Sequence, residues 1–240
     1  MKGINVCSDT HFLSQSECSS MLESILWLMQ NVPVPHVFRK CGERSLNYQV
    51  IDGHQIAEHL PAVTRLSRRI QELAQEFSKI PVAPLANPRV AINVNITQPG
   101  GEYRWHYDRN AVTAILYLNE VVGGEIEMFE DYRILLESHR FTLAQKVLDE
   151  TLLSRIFRWI FSSRQHLIKP KAGELIIMKG NRCLHSVRRV RGNIDRVCIV
   201  FAFDTPGKRH SVDATLDAYL YSNEFLSTKD PNYANRSKSI

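Results

Sequence analysis

The sequence lacks a long uninterrupted apolar run, a Cys-x-x-Cys pair and any block of lysine or arginine. Glu23 breaks the first apolar stretch, so no segment reaches the length of a transmembrane helix. The cysteines number five, an odd count without paired spacing, which argues against a disulfide framework or a zinc site. The first residues lack the apolar core of a secretory signal, so we expect a cytoplasmic protein in a reducing compartment.

The composition is that of an ordinary globular domain. The 240 residues suffice for one substantial domain, and 44% of them are hydrophobic and 23% charged. The net charge of +5 is mild and dispersed along the chain. We therefore favour a solvated surface over a nucleic-acid partner.

Two amphipathic helices are predicted in the first third of the chain. Ser14 and Glu17 form a capping box within the helix at 12–30, and apolar residues at steps of three and four mark 62–78. The segment 31–60 contains two prolines and is predicted to be irregular. It could supply a substrate lid, because loops on a rigid scaffold often carry binding residues. The candidates are His36, Arg39, Arg44, Asn47, Tyr48 and His54.

From Arg89 onward the hydrophobic period changes to two. Asn93 and Asn95 alternate with apolar residues, which predicts a half-buried strand whose polar face is directed at solvent or into a polar barrel. Short strands separated by glycine turns favour a two-sheet barrel or jelly roll that can hold a small ligand. The further strands are predicted at Thr113 to Asn119, Glu125 to Phe129, Pro170 to Met178 and Arg196 to Phe203.

Residues 141–163 interrupt the strands with helically spaced apolar residues and interleaved arginines. A basic amphipathic segment can bind a membrane surface or a partner. We favour an insertion packed on the barrel, with a homodimer contact as one use of it, and no membrane partner. The prediction is one α+β domain, with helices and a lid in 1–88, the barrel core in 89–206 and a tail or cover in 207–240.

A histidine and an aspartate stand two residues apart at His106 and Asp108. On an extended backbone this spacing places both side chains on one face. A second imidazole from a neighbouring strand would complete a two-histidine, one-carboxylate ligand set, which suits Fe(II) and leaves positions open. His185 is the candidate, because it follows a strand-like run and a turn.

Arg196 begins an apolar strand. A guanidinium among buried β residues requires a carboxylate partner, since an unpaired buried charge is costly. A dicarboxylate co-substrate would supply that partner through a bidentate contact.

The order of these features resembles the Fe(II)/2-oxoglutarate-dependent oxygenases, from about Arg89 to Pro206. In that family a His-x-Asp pair, a distal histidine and a later basic residue form the active site. Several motifs are most similar to the branch of lysine halogenases and related hydroxylases of free amino acids. They are Trp105-His106-Tyr107-Asp108, Gly123-Gly124-Glu125 with Arg133, Gly173-Glu174-Leu175, and the run from Lys179 through His185 to Val187.

The resemblance implies a double-stranded β-helix barrel, jelly-roll or cupin-like, with flanking helices. It implies Fe(II) bound by His106, Asp108 and His185, 2-oxoglutarate bound by Arg196, and O2 as the oxidant. Tyr103 matches a frequent family tyrosine. Asn93 and Asn95 lie on the strand that lines the co-substrate pocket, where a tyrosine often present near the position of Thr97 is missing.

The same resemblance indicates the reaction. The family decarboxylates 2-oxoglutarate to succinate and CO2 while it oxidises an unactivated C–H bond. Halogenating relatives carry a small residue at the position of Asp108, so we expect hydroxylation, desaturation or another oxidation and not halogenation.

Three functions remain open from the sequence. The first is hydroxylation of a small polar molecule, with an amino acid or derivative preferred. The second is modification of a protein side chain or a nucleobase, although Ala202 stands where the nucleic-acid-repair demethylases carry a second arginine. The third is a non-catalytic cupin-type barrel that binds a metal.

Overall fold

The protein consists of strands in two sheets and helices on the outside. The structure, a computed structural model, describes residues 6–41, 44–136 and 143–208. Most of the predicted C-terminal tail or cover, from residue 209 onward, lies outside the described residues. Within them, no helix combines the length and the apolar character needed to cross a bilayer.

The secondary-structure elements are numbered in chain order. The helices are α1 (Gln15–Asn31), α2 (Gly53–His59), α3 (Pro61–Ser78), α4 (Pro88–Ala91), α5 (Leu143–Leu153) and α6 (Arg155–Ile160), followed by a 3-10 turn at Ser162–Arg164. The first strands are β1 (Val6–Asp9), β2 (His36–Cys41), β3 (Arg44–Ile51), β4 (Ala83–Pro84), β5 (Ile92–Thr97), β6 (Tyr103–His106) and β7 (Val112–Tyr117). The later strands are β8 (Val122–Gly123), β9 (Ile126–Phe129), β10 (Gln165–Ile168), β11 (Leu175–Met178), β12 (Leu184–Val187), β13 (Val190–Arg191) and β14 (Arg196–Asp204).

The strands form two antiparallel sheets. The large sheet has the order β1-β11-β7-β14-β5-β3-β2, with β4 also paired to β14, and the small sheet has the order β10-β9-β12-β6. A ribbon of β8 and β13 lies beside them. From β5 to β14 the chain passes repeatedly between the two sheets, as in a double-stranded β-helix: β5, β7, β11 and β14 belong to the large sheet, and β6, β9, β10 and β12 to the small one. The predicted fold class, an α+β jelly roll with flanking helices, is confirmed.

Strand alternation divides the large sheet into an outer and an inner face. On β7, Val112, Ala114 and Leu116 point outward and pack with α1 and α3 in the main apolar core. Ile115 and Tyr117 point inward and pack with residues of the small sheet in a second core. The described chain therefore has three layers: the helices, the large sheet and the small sheet. Polar side chains of β5, β7 and β14 meet in the space between the two sheets.

The helices follow their local sequence signals. Ser14 caps α1 and accepts a hydrogen bond from the backbone N–H of Glu17, whose carboxylate in turn accepts from Ser14, so the predicted capping box is present. In α3, Val63, Ile70 and Ala74 are buried against the sheet. The exposed arginines of this helix form its solvent face.

The segment predicted to be irregular, 31–60, is instead largely ordered. β2 and β3 form a hairpin, and β3 pairs with β5, which extends the large sheet. Asp52 then caps the short helix α2. Two prolines before β2 suggested a loop, but the strand pairing that orders this segment involves residues more than 40 positions away. Arg44 and Tyr48 therefore belong to the barrel wall, whereas His36 hydrogen-bonds Asn47 at the surface.

The helical insertion predicted at 141–163 contains the two helices α5 and α6. Strand β10 follows it. Ser154 ends α5 and caps α6 through its side chain. The described part of the insertion packs on the barrel: the hydroxyl of Tyr132 donates to the carbonyl of Leu152. Strand β10, directly after the insertion, was not predicted, because two of its four residues are exposed and its alternation is short.

Candidate metal centre

Strands β6 and β12 bring the two candidate histidines together. His106 at the end of β6 is the register partner of His185 on β12, and their ring centroids are 4.2 Å apart. The pairing is irregular between His185 and Val187, which marks a bulge. Because of this bulge, Tyr103 and His106 both face the space between the sheets although they are three residues apart.

Asp108 lies just beyond β6 and completes the cluster. Its Oδ1 is 3.6 Å from Nε2 of His106 and 3.5 Å from Nε2 of His185. The three candidate ligand atoms all lie within 4.8 Å of one another. Metal–nitrogen and metal–oxygen bonds of about 2.0–2.2 Å separate neighbouring ligand atoms by roughly 3 Å, so a small cation fits between them.

Hydrogen bonds fix how these side chains are presented. Nδ1 of His106 lies 2.8 Å from the carbonyl oxygen of Arg104, and Nδ1 of His185 lies 3.0 Å from that of Cys183. A carbonyl can only accept, so both Nδ1 atoms carry the proton and donate it. In the neutral rings, each Nε2 therefore directs a lone pair toward Asp108, which is the arrangement of metal-binding histidines.

A second set of contacts orients the carboxylate. Thr113 on β7 donates its hydroxyl proton to Oδ2 of Asp108, and the side-chain amide of Asn110 donates to the same hydroxyl. The backbone N–H of Asp108 donates to the carbonyl of Gly180. A Cβ at Gly180 would lie 2.7 Å from Oδ2 of Asp108, so glycine is needed for this close approach.

Burial and mutual charge set the protonation of the cluster. Burial, together with the neighbouring His185, lowers the pKa of His106 to about 4. Burial would raise the pKa of Asp108, but His185, His106 and the hydroxyl of Thr113 outweigh it and hold that pKa well below its usual range. Burial likewise opposes the charged form of His185, yet the adjacent Asp108 carboxylate raises its pKa. The carboxylate is thus ionised, and a cation would replace the proton that it stabilises on His185.

Arg196, the first residue of β14, lies inside the barrel with 2% of its surface exposed. Its Nη2 donates to the hydroxyl of Tyr117 and its Nη1 to the sulfur of Cys198, both across 3.3 Å, and its Nε has no hydrogen-bond partner. No carboxylate in the described part of the chain pairs with it. A Cβ at Gly124 would lie 2.8 Å from Cδ of Arg196, so this glycine leaves room for the side chain.

The other predicted co-substrate residues line the same cavity wall. Asn93 and Asn95 on β5 are buried, 3% and 9% exposed, so their face is the polar barrel interior and not solvent. The amide of Asn95 donates to the hydroxyl of Tyr103 and accepts from the hydroxyl of Thr97. Register pairs Thr97 with Arg196 and Asn95 with Cys198, which places these groups side by side. Their binding of a co-substrate stays a prediction.

Two residues of the site were missed by sequence reasoning. Tyr117 contacts Arg196, and Thr113 contacts Asp108. Thr113 and Tyr117 could have been found, because they are four residues apart on β7 and therefore share a face with each other. Tyr48 was predicted as a lid residue, but it lies on β3 in the barrel wall, where its ring stacks on that of Tyr103 with centroids 5.0 Å apart.

The turn signal at Gly192-Asn193 predicts that Arg188 and Arg189 lie on a solvent-facing loop. They lie exposed on the connection between β12 and β13. Their side chains are about half exposed, but Arg188 donates to Glu127 and Arg189 to Glu102, both buried carboxylates. They therefore stabilise the barrel wall.

Comparison with known proteins adds a family match over part of the chain. Residues 92–204 match the 2OG-Fe(II) oxygenase superfamily. This oxygenase match runs from β5 to β14 and includes His106, Asp108, His185 and Arg196. It covers a little under half of the chain, and no curated protein matches the sequence.

Solved structures share the fold of this oxygenase-like barrel. The 2-oxoglutarate-dependent epimerase SnoN from nogalamycin biosynthesis superposes with a TM-score of 0.65 at 14% identity, over 84% of this chain and 78% of that one. A prolyl hydroxylase of Trichoplax adhaerens, in complex with a hypoxia-inducible-factor peptide, gives 0.59 at 15% identity over 83% of each chain. HygX of Streptomyces hygroscopicus, with nickel and 2-oxoglutarate bound, gives 0.55 at 12% identity over 88% of this chain and 87% of that one.

The match spans the segments that carry the three candidate metal ligands, and these ligands form a cluster that could hold a metal ion. The reactions named for the similar structures differ from one another, so they do not specify the reaction of this barrel.

Proposed function

We propose that this protein is a dioxygenase that hydroxylates an unactivated C–H bond of a small polar substrate, an amino acid or a derivative of one. In this proposal His106, Asp108 and His185 bind Fe(II), and Arg196 binds 2-oxoglutarate. The observation that carries it is the convergence of the three ligand atoms at one end of a barrel, which also encloses a guanidinium that no carboxylate of the described residues pairs with.

The residues present fit a ferrous ion. Two neutral imidazole nitrogens and one ionised carboxylate oxygen form the ligand set typical of non-haem Fe(II) oxygenases, and they leave positions for other ligands. The bound iron would supply O2 activation, with 2-oxoglutarate oxidised to succinate and CO2. Thr113 and the backbone carbonyls of Arg104 and Cys183 keep the three donors aimed at one point.

The residues around Arg196 fit the distal carboxylate of 2-oxoglutarate. Nε of Arg196 is buried and unsatisfied, and an unpaired buried cation is costly. A dicarboxylate would neutralise the charge and accept the remaining hydrogen bonds. Tyr117, Tyr103 and Asn95 surround the position with neutral polar groups, which orient an anion without competing for the arginine.

Two observations support hydroxylation of a small molecule. Asp108 fills the position at which halogenating relatives carry a small residue, so no site remains there for a halide. The motifs around Trp105 and from Lys179 to Val187 resemble the branch that acts on free amino acids. The proposal concerns this substrate class and names no single amino acid.

The experiment is aerobic turnover with Fe(II) and 2-oxoglutarate across a library of amino acids. We expect one or more members to stimulate succinate formation and to gain the mass of one oxygen atom. The His106→Ala variant should lose this activity, whereas His166→Ala, which changes an exposed histidine paired only with Glu130, should keep it. A peptide or nucleobase that is oxidised in place of free amino acids would reject the substrate class. If the iron-loaded protein forms no succinate with any substrate tried, the proposed oxygenase activity is wrong.

A further inference from the structure

Helix α5 is linked to the metal-ligand segment through Arg133 and the aromatic ring of Tyr107. Tyr107 stands between His106 and Asp108, and the guanidinium carbon of Arg133 lies 4.9 Å from the centre of its ring. The hydroxyl of Tyr107 is buried and has no hydrogen-bond partner in the described structure. The ring therefore packs against Arg133 without a hydrogen bond from its hydroxyl to any described residue.

Arg133 is itself held by the insertion. Its Nε donates to Oδ1 of Asp149 on α5 across 3.0 Å, and its Nη2 donates to Oδ2 across 2.5 Å. The two side chains are 15% and 11% exposed, so little water competes with this bidentate ion pair. Gln145, one turn earlier on α5, also donates to Asp149 and ties the helix to the backbone carbonyl of Ile134.

The segment that contains Arg133 also contacts the turn that leads into β12, the strand of His185. The backbone N–H groups of Tyr132 and Arg133 both donate to the carbonyl of Arg182, at 3.0 and 3.1 Å. Arg182 is three residues before His185, and its side chain pairs with Asp131. The segment around Arg133 therefore meets the chain on both sides of the metal cluster.

We infer that the Arg133–Asp149 ion pair positions His106 and Asp108 for metal binding, so that helix α5 supports the metal site. This inference rests on the proposed metal site. Among the described residues, the side chain of Asp149 pairs with Arg133 and not with a metal ligand, and the side chain of Arg133 contacts Tyr107, which stands between two of the ligands. Both are thus positioning residues.

The test is Co(II) binding to the full-length, metal-free protein, with affinity and the visible absorption of bound Co(II) as readouts. Asp149→Asn keeps the shape of the side chain and removes its charge, and Arg133→Lys keeps the charge and removes the fork. We expect each to weaken Co(II) binding about 10-fold, as the loss of groups that orient metal ligands does, and to alter the Co(II) spectrum. The double variant should bind Co(II) no more weakly than either single variant, because both changes break one contact.

The matched control is Glu150→Gln. Glu150 is the next residue on α5 and pairs with Lys146 at 3.9 Å on the exposed face. We expect its Co(II) affinity and spectrum to equal those of the parent protein.

Thermal melting separates positioning from simple stabilisation. If Asp149→Asn and Arg133→Lys melt earlier but, well below their melting temperatures, bind Co(II) within twofold of the parent and with its spectrum, the inference is wrong. The titration uses no 2-oxoglutarate and no turnover, so its result is independent of whether hydroxylation is found. If the parent protein does not bind Co(II), both the proposed metal site and the positioning role of the Arg133–Asp149 ion pair are wrong.

Discussion

The hydroxyl of Thr113 donates to Oδ2 of Asp108 across 2.5 Å, and this leaves Oδ1 to face both imidazoles. The threonine stands on the large sheet and the aspartate follows a strand of the small sheet. One hydrogen bond thus connects the two sheets at the mouth of the barrel.

Replacing Thr113 with valine should weaken Fe(II) or Co(II) binding by about 10-fold. The substitution keeps the side chain's shape but removes the donor that orients Asp108, and it leaves the amide of Asn110 without one acceptor. Metal titration of the purified protein measures the effect. Thr151→Val is the control, because that hydroxyl donates only to a carbonyl within α5. Equal affinities for the two variants would contradict the prediction.

Adding a methyl group at Gly180 should weaken metal binding, because the methyl group would crowd Thr113 and Asp108. The Cβ would lie 2.5 Å from the hydroxyl oxygen of Thr113, and moving that group costs about 1–3 kcal/mol of stability. We expect Gly180→Ala to lower both the melting temperature and the metal affinity. Gly192→Ala places its Cβ in open space and strains only a turn of positive φ. It should cost stability of about 1 kcal/mol without changing metal affinity.

Arg196→Met should separate co-substrate binding from folding. Without the guanidinium, 2-oxoglutarate affinity should fall by at least about 10-fold, since its distal carboxylate loses a charged bidentate partner. Removal of an unpaired buried charge should leave the melting temperature of the protein without co-substrate unchanged or raised. Co(II) titration in the absence of 2-oxoglutarate should give the parent's affinity. A large loss of stability without ligand would show that Arg196 has a structural role instead.

Glu127 should make the barrel sensitive to acid. Its buried carboxylate accepts from Arg44, Arg188, Ser186 and Gln165. Burial would raise its pKa, but these donors outweigh burial and lower the pKa below the ordinary value of 4.5. A depressed pKa in the folded state means that the stabilisation is complete above pH 4.5 and is lost as the pH falls through the lowered value.

Glu127→Gln should therefore cost about 2–3 kcal/mol at neutral pH, because two arginines lose a charged acceptor. The difference in unfolding free energy between parent and variant should shrink as the pH falls below 4.5. Chemical denaturation at a series of pH values measures it. A difference that stays constant from pH 7 to the acid limit would rule out a role for the ionised carboxylate.

Local pattern predicted much of this molecule. The two-residue period of β5 predicted a shared polar face for Asn93 and Asn95, although it left open whether that face is directed at solvent or into the barrel. The apolar run of β14 predicted a buried Arg196, and the helix predicted at 12–30 lies within three residues of α1 at either end. The spacing of His106 and Asp108, with His185 on another strand, predicted the cluster that the structure brings together. Whether that cluster binds iron is a question for the titrations above.

What the pattern missed depends on long-range pairing. The hairpin of β2 and β3 becomes ordered by joining β5, and Arg44 finds its carboxylate 83 residues away at Glu127. Strict alternation would place Tyr103 and His106 on opposite sides of β6. The bulge between His185 and Val187 lets both side chains face the space between the sheets. Asp149 looked like one more polar residue on a helix, because only the fold reveals Arg133 beside it.

The position of Trp105 offers a built-in optical reporter. Its indole lies between the guanidinium groups of Arg44 and Arg158, one residue before His106. The protein has three tryptophans, and the other two, Trp27 and Trp159, are 58% and 76% exposed. With both exchanged for phenylalanine, the remaining fluorescence would come from the metal centre's immediate surroundings, and quenching by a paramagnetic ion would follow its loading in real time.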